Sequence, residues 1–243
     1  ENHYIMTTTT GGAANVLGKL EDYLQTEWPE LDVYLTSVTD HYATASLCGP
    51  NSKKILKKII PDLDLSDENF PHMSFKEANI DNIQCRIMRI SFTGEHSYEI
   101  NVQASYGKDL WKKCMEAGQE FNITPYGTET MHLLRAEKGF IIVGQDTDGT
   151  MTPIDLQMDW IVSKKKYDFI GKRSLYRSDT MREDRKQLVG LLTDDPNIVL
   201  EEGAQIVSEL NQSPVEMLGH VTSSYFSPNL KKSIALAVVR GGK

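Results

Sequence analysis

Ser91-Phe92-Thr93-Gly94-Glu95-His96-Ser97-Tyr98-Glu99-Ile100 is the stretch on which the fold turns. Residues 83–92 and 97–103 read as two strands, and Thr93-Gly94-Glu95 between them reads as a tight turn. Downstream, Leu134-Arg135-Ala136-Glu137-Lys138-Gly139 closes a helix predicted over roughly 127–137. Its last acidic residue is Glu137, and Gly139 can cap it.

Outward from these segments, strands and helices mix. Residues 4–8 read as a strand, broken by Gly11-Gly12. Ala13, Val16, Leu17, Leu20 and Leu24 then recur at helical spacing. Val33, Leu35 and Ser37, then Ala43, Ala45 and Leu47, alternate as two strands joined near Asp40-His41. Ile55, Leu56, Ile59 and Ile60 form one helical face, with Lys53, Lys54, Lys57 and Lys58 opposite as a solvated face. Residues 61–79 are polar and turn-rich. A helix over 107–118 carries Leu110, Trp111, Cys114 and Met115 on its apolar stripe.

There is no strict strand–helix–strand alternation, so the pattern predicts an α+β fold. After Arg182 the runs 188–193, 205–210, 215–222 and 233–239 are short strands separated by Pro196, Gly203, Pro214 and Pro228. They predict a small all-β domain of barrel or sandwich type. The polar stretch 178–186 marks the boundary, giving domains 1–182 and 183–243. The chain opens on Glu1 and stops soon after a core-like strand, so it reads as a piece of a longer polypeptide, truncated at both ends.

The 243 residues carry a net charge of −8, with 40% hydrophobic and 25% charged content. That disfavours a nucleic-acid partner, which selects a basic face. No apolar run approaches the roughly 20 residues of a membrane span, so no membrane is expected; the odd, widely spaced cysteines fit a reducing cytoplasm. The three cysteines lack a C-x-x-C pair, and the six histidines lack ligand spacing, so neither a disulfide framework nor a metal site is expected. Gly144-Gln145-Asp146-Thr147-Asp148-Gly149 lacks the spacing of a calcium loop and its terminal Glu. It reads as a loop that positions a ligand or partner.

Three groups of residues could carry chemistry. The Glu137 carboxylate suits a cyclic amidine edge, because two parallel N–H donors fit its two oxygens. The alternative is an exposed helix-end Glu paired with Arg135 or Lys138. Glu95 and Glu99 could divide acid and base roles, or merely solvate a turn and a strand face. Lys164-Lys165-Lys166 could hold an anionic tail, or be solvated.

Taken together, the chain resembles the folate-dependent aminomethyltransferase family over nearly its whole length. That family includes the glycine cleavage T-protein and the folate domains of sarcosine oxidase and dimethylglycine dehydrogenase. The resemblance rests on Met6-Thr7-Thr8-Thr9-Thr10-Gly11-Gly12, Gln25-Thr26-Glu27-Trp28-Pro29, Val143 to Thr150, and Phe169-Ile170-Gly171-Lys172-Arg173. It is strongest toward the folate domains of the sarcosine oxidase type. Gly49-Pro50, Thr93-Gly94-Glu95 and Glu137 are shared with the glycine cleavage enzyme.

The resemblance implies a ferredoxin-like part, a folate-cradling part and a small C-terminal β-barrel. It implies tetrahydrofolate binding by Glu137 at the pterin, by Phe92 and Lys166 near the folate, and by Thr9 in place of an Asn. The family's catalytic Asp is expected upstream of Glu1, so no catalytic residue is assigned within 1–243. The implied reaction captures the one-carbon unit of a sarcosine-derived imine on tetrahydrofolate. FAD, FMN and NAD, and the other sarcosine oxidase subunits, are expected elsewhere in the intact enzyme. A stand-alone glycine cleavage enzyme, a dimethylglycine dehydrogenase-type domain and a non-catalytic folate binder are the alternatives.

Overall fold

The computed structural model describes residues 3–211 and 213–242. The chain forms two compact units. One comprises the residues up to 91 together with 96–124; the other comprises 92–95 together with 125 onward.

In the first unit, helix α1 (Ala13–Thr26) is followed by strand β1 (Tyr42–Cys48) and helix α2 (Ser52–Ile59). Strands β2 (Phe75–Ile80), β3 (Ile83–Met88) and β4 (Ser97–Gln103) come next, then helix α3 (Gly107–Gly118). The four strands form one sheet in the order β1-β4-β3-β2, with every neighbouring pair antiparallel.

Strand alternation decides which face is covered. Tyr98, Ile100 and Val102 on β4 are wholly buried, whereas Glu99 and Asn101 between them keep partial exposure. The buried set packs with Ile87 and Cys85 of β3, Leu47 of β1, Ile55 and Leu56 of α2, and Leu110 and Cys114 of α3. Two apolar residues per helical turn suffice to seat α2, and its four lysines point away from the core. Lys58 pairs with Glu120 and Lys57 donates to the Leu63 carbonyl. The Ser52 hydroxyl donates to the His96 carbonyl at 2.9 Å, tying the start of α2 to the residue before β4. Burial pushes the thiols of Cys85 and Cys114 up to about 11, so both stay protonated at neutral pH and behave as core residues.

Five expectations are corrected. The strand predicted over 83–92 stops at Met88, so residues 89–96 form a longer connection to β4 than a tight turn. Residues 4–8 form no strand, and Tyr4 and Met6 are exposed. Residues 33–37 likewise lack strand pairing; only the second run becomes a strand, after a short 3-10 turn at Thr39–His41. An alternating run becomes a strand only when a neighbour takes up its N–H and C=O groups. Conversely, the polar tract 61–79 contains β2, because β3 supplies that neighbour through a two-residue turn with Asp81 at φ 52°. Trp111 lies off the buried stripe of α3 and is 51% exposed.

In the second unit, helix α4 (Thr128–Glu137) precedes a long irregular stretch. Strands β5 (Lys186–Leu192), β6 (Gln205–Val207), β7 (Met217–Ser227) and β8 (Lys232–Arg240) follow. They form an antiparallel sheet in the order β5-β8-β7-β6. A bulge between Val221 and Ser223 shifts the β7–β8 register, so Thr222, Ser223 and Ser224 all lie buried along β7. Leu188, Leu236 and Val238 pack with Ile141, Met151 and Leu156 of the irregular stretch. The α+β class predicted from sequence is the class adopted. The boundary at 182/183 remains a proposal; all four strands of this sheet lie after it, within the second unit. No described helix is long and apolar enough to cross a membrane.

Asp155 anchors the irregular stretch. Its carboxylate accepts the Thr152 N–H and hydroxyl and two donors from Arg185. Burial pushes its pKa up, but these donors outweigh burial and hold it below the ordinary 3.8. A depressed folded-state pKa contributes stability that is present above the unfolded value and lost as pH falls through the folded one. Unfolding midpoints in urea measured from pH 6 down to pH 2 should therefore drop below about pH 4. Asp155→Asn should lower the midpoint at pH 6 and flatten that drop. An acid limb identical to wild type would show that Asp155 does not contribute to it.

Candidate functional site at the end of α4

Helix α4 ends on Glu137, Lys138 follows as its cap, and Gly139 turns the chain away at φ 71°. Residues two apart on a helix face different ways, and Arg135 and Glu137 do so here. Arg135 is fully buried; Glu137 is half-buried.

Arg135 does not pair with Glu137. Its Nη1 meets the Asp146 carboxylate at 2.5 Å and the Phe140 carbonyl at 3.0 Å, and its Nη2 donates to the Ser223 hydroxyl. Asp146, 1% exposed, also accepts the Ile142 N–H and the hydroxyls of Thr222 and Ser223. The Gln-Asp-Thr-Asp-Gly loop thus has an internal role: its first aspartate ties α4 to β7.

With Arg135 committed elsewhere, the Glu137 carboxylate takes different donors. The Ser227 hydroxyl, at the end of β7, donates to Oε1 at 2.5 Å. The Asn229 side-chain amide reaches Oε1 at 3.3 Å and Oε2 at 3.0 Å. Lys138 turns instead to Glu95, at 3.6 Å.

That ion pair brings the Thr-Gly-Glu turn beside the helix end. Gly94 sits at φ 75°, and a Cβ there would lie 2.4 Å from Lys138 Cγ, so only glycine fits. Thr93 is buried and its hydroxyl accepts the Glu95 N–H. Phe92, at the start of this turn, is 42% exposed.

Beside Glu137 opens a cavity of about 490 Å³, within the size range of small-molecule sites. Its walls include Leu156, Leu188, Leu230, Ile234 and Leu236, with Gln157 among them. A carboxylate on a wall of mixed polar and apolar character can orient a flat ring that presents N–H groups at one edge.

The other candidate residues are placed less specifically. Lys166 is exposed, as are Lys164 and Lys165, and its N–H donates to the Ser163 hydroxyl. Thr9 belongs to the first unit, where it is exposed and its carbonyl accepts the Gly12 N–H. Glu99 also lies in the first unit, on β4, where burial raises its pKa. Glu95 lies in the second unit, paired with Lys138. Sequence reading missed Ser227 and Asn229. The only local signal was a Ser-Pro-Asn turn between two strand runs, which says nothing about a carboxylate 90 residues away.

The GCVT N-terminal domain family matches residues 1–166, and the glycine cleavage T-protein C-terminal barrel domain matches residues 186–243. The chain is 53% identical over its whole length to sarcosine oxidase subunit alpha of Corynebacterium sp. (strain P-1) and 42% identical to that of Rhizobium meliloti (strain 1021). It spans 25% of the length of each of these relatives. An aminomethyltransferase of Thermoanaerobacter sp. (strain X514) is 33% identical over 86% of this chain and 54% of its own. Among solved structures, the glycine cleavage system aminomethyltransferase T of Bartonella henselae superposes with a TM-score of 0.76. That match covers 95% of this chain and 58% of the other at 22% identity, and so speaks to the fold. With both of its parts matched in order, the chain belongs to the glycine cleavage T-protein, or aminomethyltransferase, family.

Proposed function

We propose that this chain is the tetrahydrofolate-binding part of a sarcosine oxidase alpha-type protein. The observation that carries the reading is Glu137, a half-buried carboxylate on the wall of a cavity of about 490 Å³ that leucine and isoleucine side chains also line. The pterin of tetrahydrofolate is a flat ring with an amidine edge, and a carboxylate is its complement. Phe92, exposed at the start of the turn beside Lys138, is assigned to the folate by family resemblance. Lys166 and Thr9 are assigned to the folate by family resemblance.

When bound, tetrahydrofolate supplies the nitrogens that accept a one-carbon unit. In the proposed reaction, oxidised sarcosine enters as its imine. Its methylene carbon passes to folate as 5,10-methylenetetrahydrofolate and its nitrogen leaves with glycine. The contribution of this chain is positional: Glu137 fixes the ring. The amine oxidation, with FAD, FMN and NAD, is assigned to other parts and subunits of a cytoplasmic enzyme.

Titration of the full-length protein with tetrahydrofolate by calorimetry tests the reading. Binding should be saturable in the wild type and weakened about 30-fold or more in Glu137→Gln. Equal affinity in the two proteins would remove Glu137 as the anchor and the reading with it.

A further inference from the structure

Glu137 is not a free carboxylate, and the way it is held is informative. Ser227 and Asn229 approach it from the same β7–β8 turn but in different environments. Ser227 is wholly buried, and its hydroxyl also accepts the Leu230 N–H at 3.0 Å, which fixes its rotamer. Asn229 is exposed. Its Nδ2 lies 3.3 Å and 3.0 Å from the two carboxylate oxygens. A nitrogen nearly equidistant from both oxygens lies near the bisector of the carboxylate, where one donor can address both oxygens. An amidine edge would require that same face, since its two parallel N–H groups must meet both oxygens together.

We infer that Ser227 is the positioning residue that holds Glu137 for its ligand, and that Asn229 occupies the ligand's place and must leave for a ring with an amidine edge to bind. The inference rests on the reading of Glu137 as the pterin anchor. The chemistry supports a division of roles. The Ser227 hydrogen bond goes to Oε1 alone and leaves Oε2 available. The Asn229 contact is solvent-exposed and therefore weakly held. Leu230, next to Asn229, lines the cavity, so departure of the turn tip also alters the cavity wall.

A carboxylate whose bidentate face is open only part of the time binds with an apparent affinity reduced by that fraction. Removing the competing amide should therefore tighten binding, which loss of a merely structural contact would not do. The experiment uses the full-length protein and two probes: tetrahydrofolate, and its 2-desamino-2-methyl analogue, which lacks the donating amino group. Asn229→Ala should bind tetrahydrofolate about three- to tenfold more tightly than wild type. Ser227→Ala should weaken tetrahydrofolate about tenfold while changing affinity for the analogue little, so the ratio between the probes shrinks.

If wild type binds, Glu137→Gln loses binding, and Asn229→Ala binds no more tightly than wild type, the inference is overturned while the folate reading stands. A Ser227→Ala protein with an unchanged probe ratio overturns the positioning role. If tetrahydrofolate does not bind, or Glu137→Gln binds it as wild type does, the folate reading and this inference fall together.

Discussion

Asp146→Ala is expected to cost about 3–5 kcal/mol of stability in the second unit, the largest effect of any single side-chain change considered. The Asp146 carboxylate takes four donors: Arg135 Nη1, the Ile142 N–H, and the hydroxyls of Thr222 and Ser223. That fills the roughly four acceptor sites of a carboxylate. Arg135 and Asp146 are 0% and 1% exposed, so water cannot replace a lost partner. Without Asp146 the Arg135 guanidinium remains buried with, among the described residues, the Phe140 carbonyl and Ser223 hydroxyl as its acceptors.

The cost therefore comes from an uncompensated buried charge more than from the lost attraction, because a buried ion pair only roughly offsets its own desolvation. This has a testable corollary. The double variant Arg135→Met with Asp146→Leu should recover much of the loss. Urea unfolding of the full-length protein, with hydrogen exchange at β7 and β8 amides to localise the effect, measures both. A loss below about 1 kcal/mol for Asp146→Ala would show that the site rearranges or admits water. A double variant as unstable as Asp146→Ala would move the cause from charge to the hydroxyl network on β7.

Under the proposed function, Glu137→Ala in the full-length protein should uncouple sarcosine oxidation from one-carbon capture. The carboxylate is the only charged group among the cavity-lining residues. Truncating one partner of a desolvated, charge-assisted pair costs about 2–5 kcal/mol, or roughly 30- to 4,000-fold in folate affinity. At ordinary folate concentrations the imine would then hydrolyse, releasing formaldehyde in place of 5,10-methylenetetrahydrofolate. Sarcosine oxidation should continue at its normal rate, because the proposed flavin chemistry lies outside this chain. Simultaneous assay of sarcosine consumption, formaldehyde and methylenetetrahydrofolate separates the outcomes. Unchanged coupling would exclude Glu137 as the anchor. Loss of oxidation as well would indicate that the substitution disturbs more than folate binding.

The elements legible in the sequence are those whose signal is local. The helical spacing of Ile55 and Leu56 against four lysines identifies α2, and the alternation of Tyr98, Ile100 and Val102 identifies β4. Each pattern states which face is apolar, and burial of that face forms the element. The four C-terminal strands were legible for the same reason, with Pro and Gly between them. Family resemblance picked out Glu137, and the structure gives it a cavity wall.

Sequence alone determined the α+β class, the all-β C-terminal part and the chemical character of the carboxylate at the end of α4. Tertiary structure decided everything that depends on a distant partner. Residues 4–8 and 33–37 carry strand-like patterns without a neighbour to complete their hydrogen bonds, while polar 75–80 becomes β2 because β3 pairs with it. Arg135 is two residues from Glu137 but belongs to Asp146, and Glu137 belongs to Ser227 and Asn229, 90 and 92 positions away. The physical reason is one of range: hydrophobic period is written along the chain, whereas the donors that satisfy a buried carboxylate are set only by which segments the fold brings within about 3 Å.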